Sequence, residues 1–114
     1  MTSVAIRRVE TNKKQYLALI LLADEQEDMI DRYLERGSMY VLEDDGVKAE
    51  CVVTDEGGGV LELKNIAVEP DFQGKGYGKA LVDFLIRTYA GQYMLLQVGT
   101  GDSPSTLPSY ERCG

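Results

Sequence analysis

The 114-residue sequence contains no histidine, no tryptophan and only two cysteines. Without histidine the chain cannot form Ser-His-Asp or Cys-His nucleophilic sites, or metal sites with histidine ligands. Cys51 and Cys113 lie far apart and cannot complete a structural zinc site, so we expect no metal. Cys51 alternates with apolar neighbours, which predicts a small buried side chain. Proton transfer must therefore use carboxylates, tyrosines, lysines, the backbone or water.

Long apolar runs and excess positive charge are also missing. The longest apolar stretch, around Leu17–Ala23, is far shorter than the ~18 to 20 residues of a membrane span. The N-terminus lacks the pattern of a secretory signal, so we expect a cytoplasmic protein with no membrane partner. The net charge of −7 argues against nucleic acid as a partner. That charge suits a cationic or amine substrate, although an acidic surface also serves solubility alone.

The length and composition predict one domain over residues 1–114, because 114 residues leave no room for two independent cores. Hydrophobic periodicity near the N-terminus predicts a strand over Ser3–Val9 and an apolar helix over Tyr16–Leu22, with Asn12 as its cap. A second helix is predicted over Glu25–Arg36. We expect Asp24 to cap its start and Gly37 to cap its end.

The hydrophobic period then changes to two, which is typical of strands. Strands are predicted over Met39–Glu43, Val47–Thr54 and Val60–Val68, separated by glycine-containing turns. Within the second of them, Val47, Ala49, Cys51 and Val53 are expected on one face. A helix over Gly78–Ala90 and a fifth strand over Tyr93–Val98 follow, and the remainder has room for at most one short helix.

This order predicts an α+β fold. The first four strands are expected to be mainly antiparallel. The fourth and fifth are joined through a helix and should run parallel.

One glycine-rich segment carries most of the functional information. After the strand that ends at Val68, the chain turns at Pro70 and runs as Gln73-Gly74-Lys75-Gly76-Tyr77-Gly78-Lys79 into a helix. Glycines in such a loop let the backbone approach a ligand closely, and the helix N-terminus offers unpaired N–H groups to a phosphate. Lys75 and Lys79 add positive charge. The segment therefore predicts a phosphate-binding loop.

Other interpretations of this loop fit less well. A Walker A loop requires Ser or Thr after Gly-Lys, and here Ala80 follows Lys79. A dinucleotide fingerprint requires Gly-x-Gly-x-x-Gly after a first parallel strand, and neither the spacing nor the position matches. A turn without a ligand would not explain three glycines at a site where they weaken a helix.

The spacing Gln73-x-x-Gly76-x-Gly78 resembles the Q/R-x-x-G-x-G/A signature of the GNAT superfamily of acyl-CoA-dependent N-acetyltransferases. The resemblance extends to the preceding Lys64-Asn65-Ile66-Ala67-Val68-Glu69-Pro70, to the closing Tyr110-Glu111-Arg112-Cys113-Gly114 and to the element order, in the manner of bacterial members. It implies the GNAT fold and acetyl-CoA as co-substrate. It also implies the cofactor-binding residues, which are Gln73, Gly74, Lys75, Gly76, Tyr77, Gly78 and Lys79 around the pyrophosphate, and Ile66, Ala67 and Val68 along the pantetheine arm.

The same resemblance suggests residues for the chemistry. Glu62 falls where some relatives carry a general-base glutamate, although it could equally be a surface carboxylate. Tyr110 falls where the family presents a tyrosine hydroxyl as general acid to the sulfur; the other interpretation is a core aromatic. Asp102 stands where relatives commonly have an asparagine that contacts the cofactor, so we include it among the cofactor-binding residues. Family members often carry a bulge in the fourth strand, which the sequence does not reveal.

The resemblance therefore implies an N-acetyltransferase that transfers an acetyl group to the amine of a small molecule or peptide by direct attack in a ternary complex. A non-catalytic acyl-CoA sensor, or an interaction module of the same fold, is the alternative. The acidic connection from Ala23 to Asp28 could favour a cationic acceptor, or could simply suit a helix N-terminus.

The end of the sequence predicts a further property. The family normally continues with two more strands after Cys113-Gly114, so we expect a C-terminally truncated domain with an open edge on the fifth strand. Such an edge, beside apolar Met94, Leu95, Leu96 and Val98, predicts self-association into a homo-oligomer.

Overall fold

A mixed β-sheet organises the protein in the computed structural model, which describes residues 4–98 and 105–106. Its six strands follow the sequence order from one edge to the other. They are β1 (Ala5–Val9), β2 (Ser38–Glu43), β3 (Val47–Gly57), β4 (Val60–Val68), β5 (Leu95–Val98) and β6 (Ser105–Thr106). Strands β1 to β4 are antiparallel and β4 pairs with β5 in parallel, which confirms the predicted topology.

The helices differ more from prediction than the strands do. Helix α3 (Tyr77–Tyr89) is close to the predicted element, but α1 (Leu17–Ile20) and α2 (Glu27–Ile30) are one turn each. Beyond α2 some backbone N–H groups donate to the carbonyl three residues earlier, as Tyr33 does to Ile30. Others donate to the carbonyl four residues earlier, as in a regular α-helix. At the end of this segment the Lys13 ammonium binds the carbonyl oxygens of Leu34, Glu35 and Gly37, which supplies donors where the helical turns stop.

The three predicted caps are wrong in detail. Asn12 has a left-handed backbone before a 3₁₀ turn at Lys13–Tyr16, but its side chain makes no capping bond. Asp24 Oδ1 accepts a bond from Gln26 N–H at 3.3 Å, in a turn that precedes α2 rather than at its cap. Gly37 is required for space, because a Cβ there would lie 2.8 Å from Val52 Cγ1.

Both faces of the sheet are covered. Helix α3 packs on one face, and its Leu81, Leu85 and Ile86 bury the apolar side chains of β2 to β5. The irregular layer with α1 and α2 covers the other face. Cys51 is fully buried on the α3 side, as predicted. Val47 instead packs on the opposite face, because the pairing of β2 with β3 skips Lys48 and reverses the alternation there.

Strand β6 changes the expectation for the sheet edge. Ser105 and Thr106 pair antiparallel with Leu96 and Leu95 of β5. The prediction of an open edge is therefore wrong at these two β5 residues, since a later segment of the same chain occupies their hydrogen-bonding side. Self-association through the backbone of Leu95 and Leu96 is therefore no longer expected. Among the helices that the structure describes, none combines the length and apolar character needed to cross a membrane.

Candidate active site

A cleft of about 320 Å³ lies where β4 ends and α3 begins. Strand β4 contributes its last three residues, Ile66, Ala67 and Val68, and the loop and helix contribute Gln73 and Gly78. Leu22 and Ala23, from the connection between α1 and α2, form the other wall. The cleft thus brings together five residues that the sequence assigned to cofactor binding.

The loop at the end of this cleft has the geometry of an anion-binding turn. Gly74 and Gly76 have φ values of 85° and 86°, in the left-handed region that favours glycine. A Cβ at either position would meet no atom within 4 Å, so the glycines are required by backbone conformation and leave open space above the loop. Gly76 is the N-cap of α3 and provides no capping side chain. The first N–H groups of the helix are therefore available to a ligand.

Several contacts hold the loop against the rest of the sheet. The Tyr77 hydroxyl donates a hydrogen bond to Asp44 Oδ2 in the β2–β3 turn, and this bond raises the pKa of Tyr77. Gln73 Nε2 donates to the Val68 carbonyl oxygen at 3.3 Å. The Lys48 ammonium lies 4.6 Å from the centre of the Phe72 ring. These contacts fix the loop before any ligand arrives, which lowers the entropic cost of binding one.

The two loop lysines differ in what they contact. Lys75 is exposed at the tip of the loop. The Lys79 ammonium forms an ion pair with Asp83 one turn further along α3, at 3.0 Å. Lys75 is thus the better placed of the two to approach a ligand phosphate, whereas Lys79 contributes mainly the main-chain N–H of the first helical turn.

Within the described residues, β4 pairs with β5 only over its first four residues. The parallel pairing begins at Val60 with Leu95 and ends at Leu63 with Val98. In the part of the chain that the structure describes, no strand lies beside the last residues of β4 on that side. An extended ligand can therefore pair with the free backbone edge of Ile66–Val68, as an added strand would.

A bulge interrupts β4 next to its last described pair with β5. On the β3 side, Val52 pairs with Asn65 and Val53 with Leu63, so Lys64 is an extra residue in β4. A bulge of this kind leaves backbone groups out of the ladder and redirects neighbouring side chains. It lies between the free strand edge at Ile66 and the candidate base Glu62. This is the bulge that the sequence could not reveal.

Glu62 lies beside the bulge in a nearly buried position, with 8% of its surface exposed. Its Oε2 forms an ion pair with the Lys64 ammonium at 2.9 Å. Its Oε1 accepts a hydrogen bond from Gln97 Nε2 at 3.1 Å. Gln97 belongs to β5, so the carboxylate spans the two strands next to their last described pair. The interpretation of Glu62 as an ordinary surface carboxylate is therefore wrong.

A buried polar cluster adjoins the cleft on the α1–α2 face of the sheet. Asn65 Nδ2 donates to the Ile20 carbonyl and to the Tyr33 hydroxyl, each at 3.1 Å. The Tyr33 hydroxyl in turn donates to Asp24 Oδ2 at 3.2 Å. Burial raises the pKa of Tyr33 to about 12, and the charges of Asp24 and Glu50 add to the rise. Burial likewise raises the pKa of the Glu50 carboxyl to about 8.

Sequence reasoning missed this cluster and the far wall of the cleft. Asn65 and Glu50 interrupt apolar stretches, and such interruptions were the available signal. Tyr110 and Asp102, predicted as general acid and cofactor ligand, lie outside the described residues. Within residues 4–98 and 105–106, no group of three or more carboxylate or cysteine side chains is arranged to hold a metal ion.

Comparison with known proteins identifies the family. Residues 35–114 match the model of the acetyltransferase (GNAT) domain. The uncharacterized N-acetyltransferase YvbK of Bacillus subtilis is 37% identical over 108 residues, which cover 92% of this chain and 69% of that protein.

Solved structures agree with this match. An IAA acetyltransferase from Bacillus cereus superposes with a TM-score of 0.79 at 39% identity, over 98% of this chain and 76% of that one. A GNAT family acetyltransferase from Elizabethkingia anophelis with acetyl-CoA bound gives a TM-score of 0.79 at 27% identity, over 97% and 74% of the two chains. The glycine loop and these similarities lead to one conclusion: the chain belongs to the GNAT family and is an acyltransferase of the N-acetyltransferase type.

Proposed function

We propose that this protein transfers the acetyl group of acetyl-CoA to the amine of a small molecule or peptide by direct attack in a ternary complex. The observation that carries the proposal is the bulge at Lys64, between the free edge of β4 and the carboxylate of Glu62. An acetyl group delivered along that edge would arrive beside a carboxylate. The similarity to an acetyltransferase with acetyl-CoA bound supports the same donor.

In this proposal the loop binds the donor through its backbone. The pyrophosphate accepts hydrogen bonds from N–H groups between Gln73 and Lys79, in the open space above Gly74 and Gly76. Lys75 adds charge at the tip. The pantetheine arm pairs with Ile66, Ala67 and Val68. Asp102 is a further proposed contact to the donor.

The chemical step requires a base, a donor to the oxyanion and an acid. The amine loses a proton to Glu62, directly or through water, and its nitrogen attacks the thioester carbon. A backbone N–H freed by the bulge stabilises the oxyanion. The C–S bond then breaks, and the thiolate takes a proton from the Tyr110 hydroxyl. The products are the N-acetylated amine and the free thiol of CoA.

Direct transfer is favoured over an acyl-enzyme by the state of Cys51. This thiol is fully buried in the core on the α3 side of the sheet, and burial raises its pKa. A nucleophilic cysteine requires the opposite, an exposed thiolate with a lowered pKa. An acyl-enzyme at Cys51 is therefore disfavoured, and in the proposed reaction the amine itself is the nucleophile. We place the protein in the cytoplasm.

Thiol release from acetyl-CoA in the presence of a panel of primary amines tests the proposal. We expect turnover with at least one amine, and a lower kcat with little change in CoA affinity for Tyr110→Phe. Absence of turnover with every amine, together with tight acetyl-CoA binding in calorimetry, would favour the alternative of a non-catalytic acyl-CoA sensor. Absence of CoA binding would leave only an interaction module.

A further inference from the structure

Glu50 is a carboxyl group that the proposed reaction does not use, and it is completely buried in the centre of β3. Neither of its oxygens has a hydrogen-bond partner among the described residues. The same is true of Asn65 Oδ1, which is also buried. Buried polar atoms are nearly always paired, so three unpaired acceptor oxygens in one region call for a ligand that supplies donors.

The three oxygens lie on one face of the sheet and beside the cleft. Glu50 pairs across the strands with Ala67, and Asn65 is two residues from Ala67 on the same strand, so all three side chains point to the α1–α2 face. Ala67 also lines the cleft. The charge of Glu50 contributes to raising the pKa of the Tyr33 hydroxyl, which accepts a hydrogen bond from Asn65 Nδ2. The unpaired oxygens of Glu50 and Asn65 therefore lie around Tyr33, next to Ala67, which also lines the cleft.

The segment on the other side of the cleft from Ala67 is irregular. Ala23 lines that side and belongs to the connection between α1 and α2, which forms turns rather than a continuous helix. Displacing such a segment costs less than breaking a strand, so in this inference the ammonium reaches Glu50 past Ala23 and not along the β4 edge assigned to the donor.

The chemistry of the three oxygens selects the group. All are acceptors when Glu50 is ionised, and a primary ammonium offers three N–H donors and a positive charge. Nearby lysines do not fill this role in the described structure, because Lys13 binds three main-chain carbonyls and Lys64 pairs with Glu62. Asp24, bonded to Tyr33, adds negative charge next to the Ala23 wall.

We propose that Glu50 and Asn65 form a subsite for a second ammonium group of the acceptor, so that the preferred acceptor carries two cationic amines. One amine then lies near Glu62 for acetylation while the other binds at Glu50. The acetylation half of this inference rests on the proposed function. The binding half does not, and the experiment separates them.

The kinetic test compares 1,4-diaminobutane and 1,5-diaminopentane with n-butylamine and n-pentylamine as acceptors. We expect kcat/KM for the diamines to exceed that for the monoamines by about tenfold or more. Glu50→Gln, which keeps the shape of the side chain, should abolish the preference by raising KM for the diamines to the level of the monoamines. Asp28→Asn is the matched control, since it removes one exposed carboxylate from the same helix layer and should keep the preference.

Calorimetry without acetyl-CoA provides a readout independent of turnover. Ammonium binding at Glu50 should ionise this carboxyl, so a diamine should release close to one proton at pH 7, visible as a heat that depends on the buffer. A monoamine lacks the second ammonium that anchors a diamine, so it should release this proton only at much higher concentration, and a diamine added to the Glu50→Gln variant should release none. If that variant does not fold, the wild-type protein still decides the question by comparing proton release and melting temperature with the two amine classes.

The outcomes are distinct. Equal use of diamines and monoamines, or a preference that survives in Glu50→Gln, overturns the subsite while the acetyltransferase proposal stands. Proton release that requires Glu50, without acetylation of any amine, supports the subsite and overturns the proposed function. Diamine binding without buffer-dependent heat in the wild-type protein, or with the same proton release in Glu50→Gln, overturns the subsite regardless of activity.

Discussion

Asn65 Nδ2 lies 3.1 Å from the carbonyl oxygen of Ile20 and donates a hydrogen bond to it. This bond connects the bulged part of β4 to the end of α1, so the strand that lines the cleft and the layer that forms its opposite wall are fixed relative to each other. The second bond of Asn65, to the Tyr33 hydroxyl, extends the connection towards α2.

Replacing this amide should therefore weaken the fold as well as the site. Asn65→Ala removes two buried hydrogen bonds and should lower the free energy of unfolding by about 1–3 kcal/mol, measured by urea denaturation. Gln92→Ala is the control, because Gln92 makes a similar bond to the Thr88 carbonyl at an exposed position. We expect that variant to change stability by less than about 0.5 kcal/mol. Equal losses in the two variants would contradict the connecting role.

Lys13 makes a second connection, to the end of the irregular layer. Its buried ammonium donates to the carbonyl oxygens of Leu34 at 2.8 Å, Glu35 at 3.3 Å and Gly37 at 2.7 Å. Lys13→Met keeps the apolar stem but leaves these carbonyls without their donor, so the free energy of unfolding should fall by about 3 kcal/mol.

The adjacent Lys14 is the matched control for this prediction. It is exposed, and it pairs with Glu27 and Asp31 at 2.7 Å each. Exposed ion pairs contribute little because water screens them, so Lys14→Met should leave the urea midpoint almost unchanged. A midpoint shift for Lys14→Met as large as that for Lys13→Met would show that charge, rather than the buried carbonyl contacts, matters here.

The strands and α3 were predictable because their signals are local. Alternating apolar residues predicted β2 to β4, and the turn between β2 and β3 has positive φ at Asp45 and Gly46, as its sequence indicates. The two short helices were not predictable in this way. Their apolar periodicity extends further than their hydrogen bonding, and side chains from distant positions such as Lys13 supply donors where the helical turns stop.

The candidate site was predictable only in part. The glycine loop has a sequence signature because its φ values require glycine at Gly74 and Gly76. The bulge at Lys64 has none, because it arises from how β3 and β4 align over their whole length. Glu50 lies on the other face of β3 from Ala49 and Cys51, and the α1–α2 layer covers that face and buries Glu50 completely. Strand alternation distinguishes two faces and does not reveal whether the second is covered.

The loop assignment is tested by Gly76→Val. A side chain at Gly76 would occupy the open space above the loop and force a residue that disfavours left-handed backbone into φ 86°. CoA binding measured by calorimetry should weaken at least tenfold, or ~1.4 kcal/mol. Gly91→Val is the control, because Gly91 has φ 85° and equally open surroundings but lies beyond the other end of α3. Gly91→Val should carry similar backbone strain and bind CoA normally. A comparable loss of affinity in both variants would show that backbone strain, and not the loop's contact with CoA, weakens binding.

The role of Glu62 is tested by Glu62→Gln. The amide retains a hydrogen-bonding group next to Lys64 and Gln97 but cannot accept the proton of the attacking amine. If Glu62 is the base, kcat should fall by about 100-fold while the dissociation constant of CoA stays the same. Glu43→Gln is the control, since Glu43 pairs with the exposed Arg7 at the end of β2. An unchanged kcat for Glu62→Gln would assign the base to another group or to water.

The buried carboxyl of Glu50 should also make stability depend on pH. Burial raises its pKa from 4.5 to about 8, so the folded state holds this proton more tightly than the unfolded chain does. The resulting stabilisation is complete below pH 4.5 and is lost as the pH rises towards 8, with a slope of at most about 1.4 kcal/mol per pH unit. Glu50→Gln has no such proton. The difference in unfolding free energy between the wild type and Glu50→Gln, measured by urea denaturation from pH 5 to pH 8, should therefore shift steadily in favour of the variant. A difference that stays constant across this range would mean that Glu50 ionises in the folded protein as readily as in the unfolded chain, and would require a donor to its oxygens that is present without any amine.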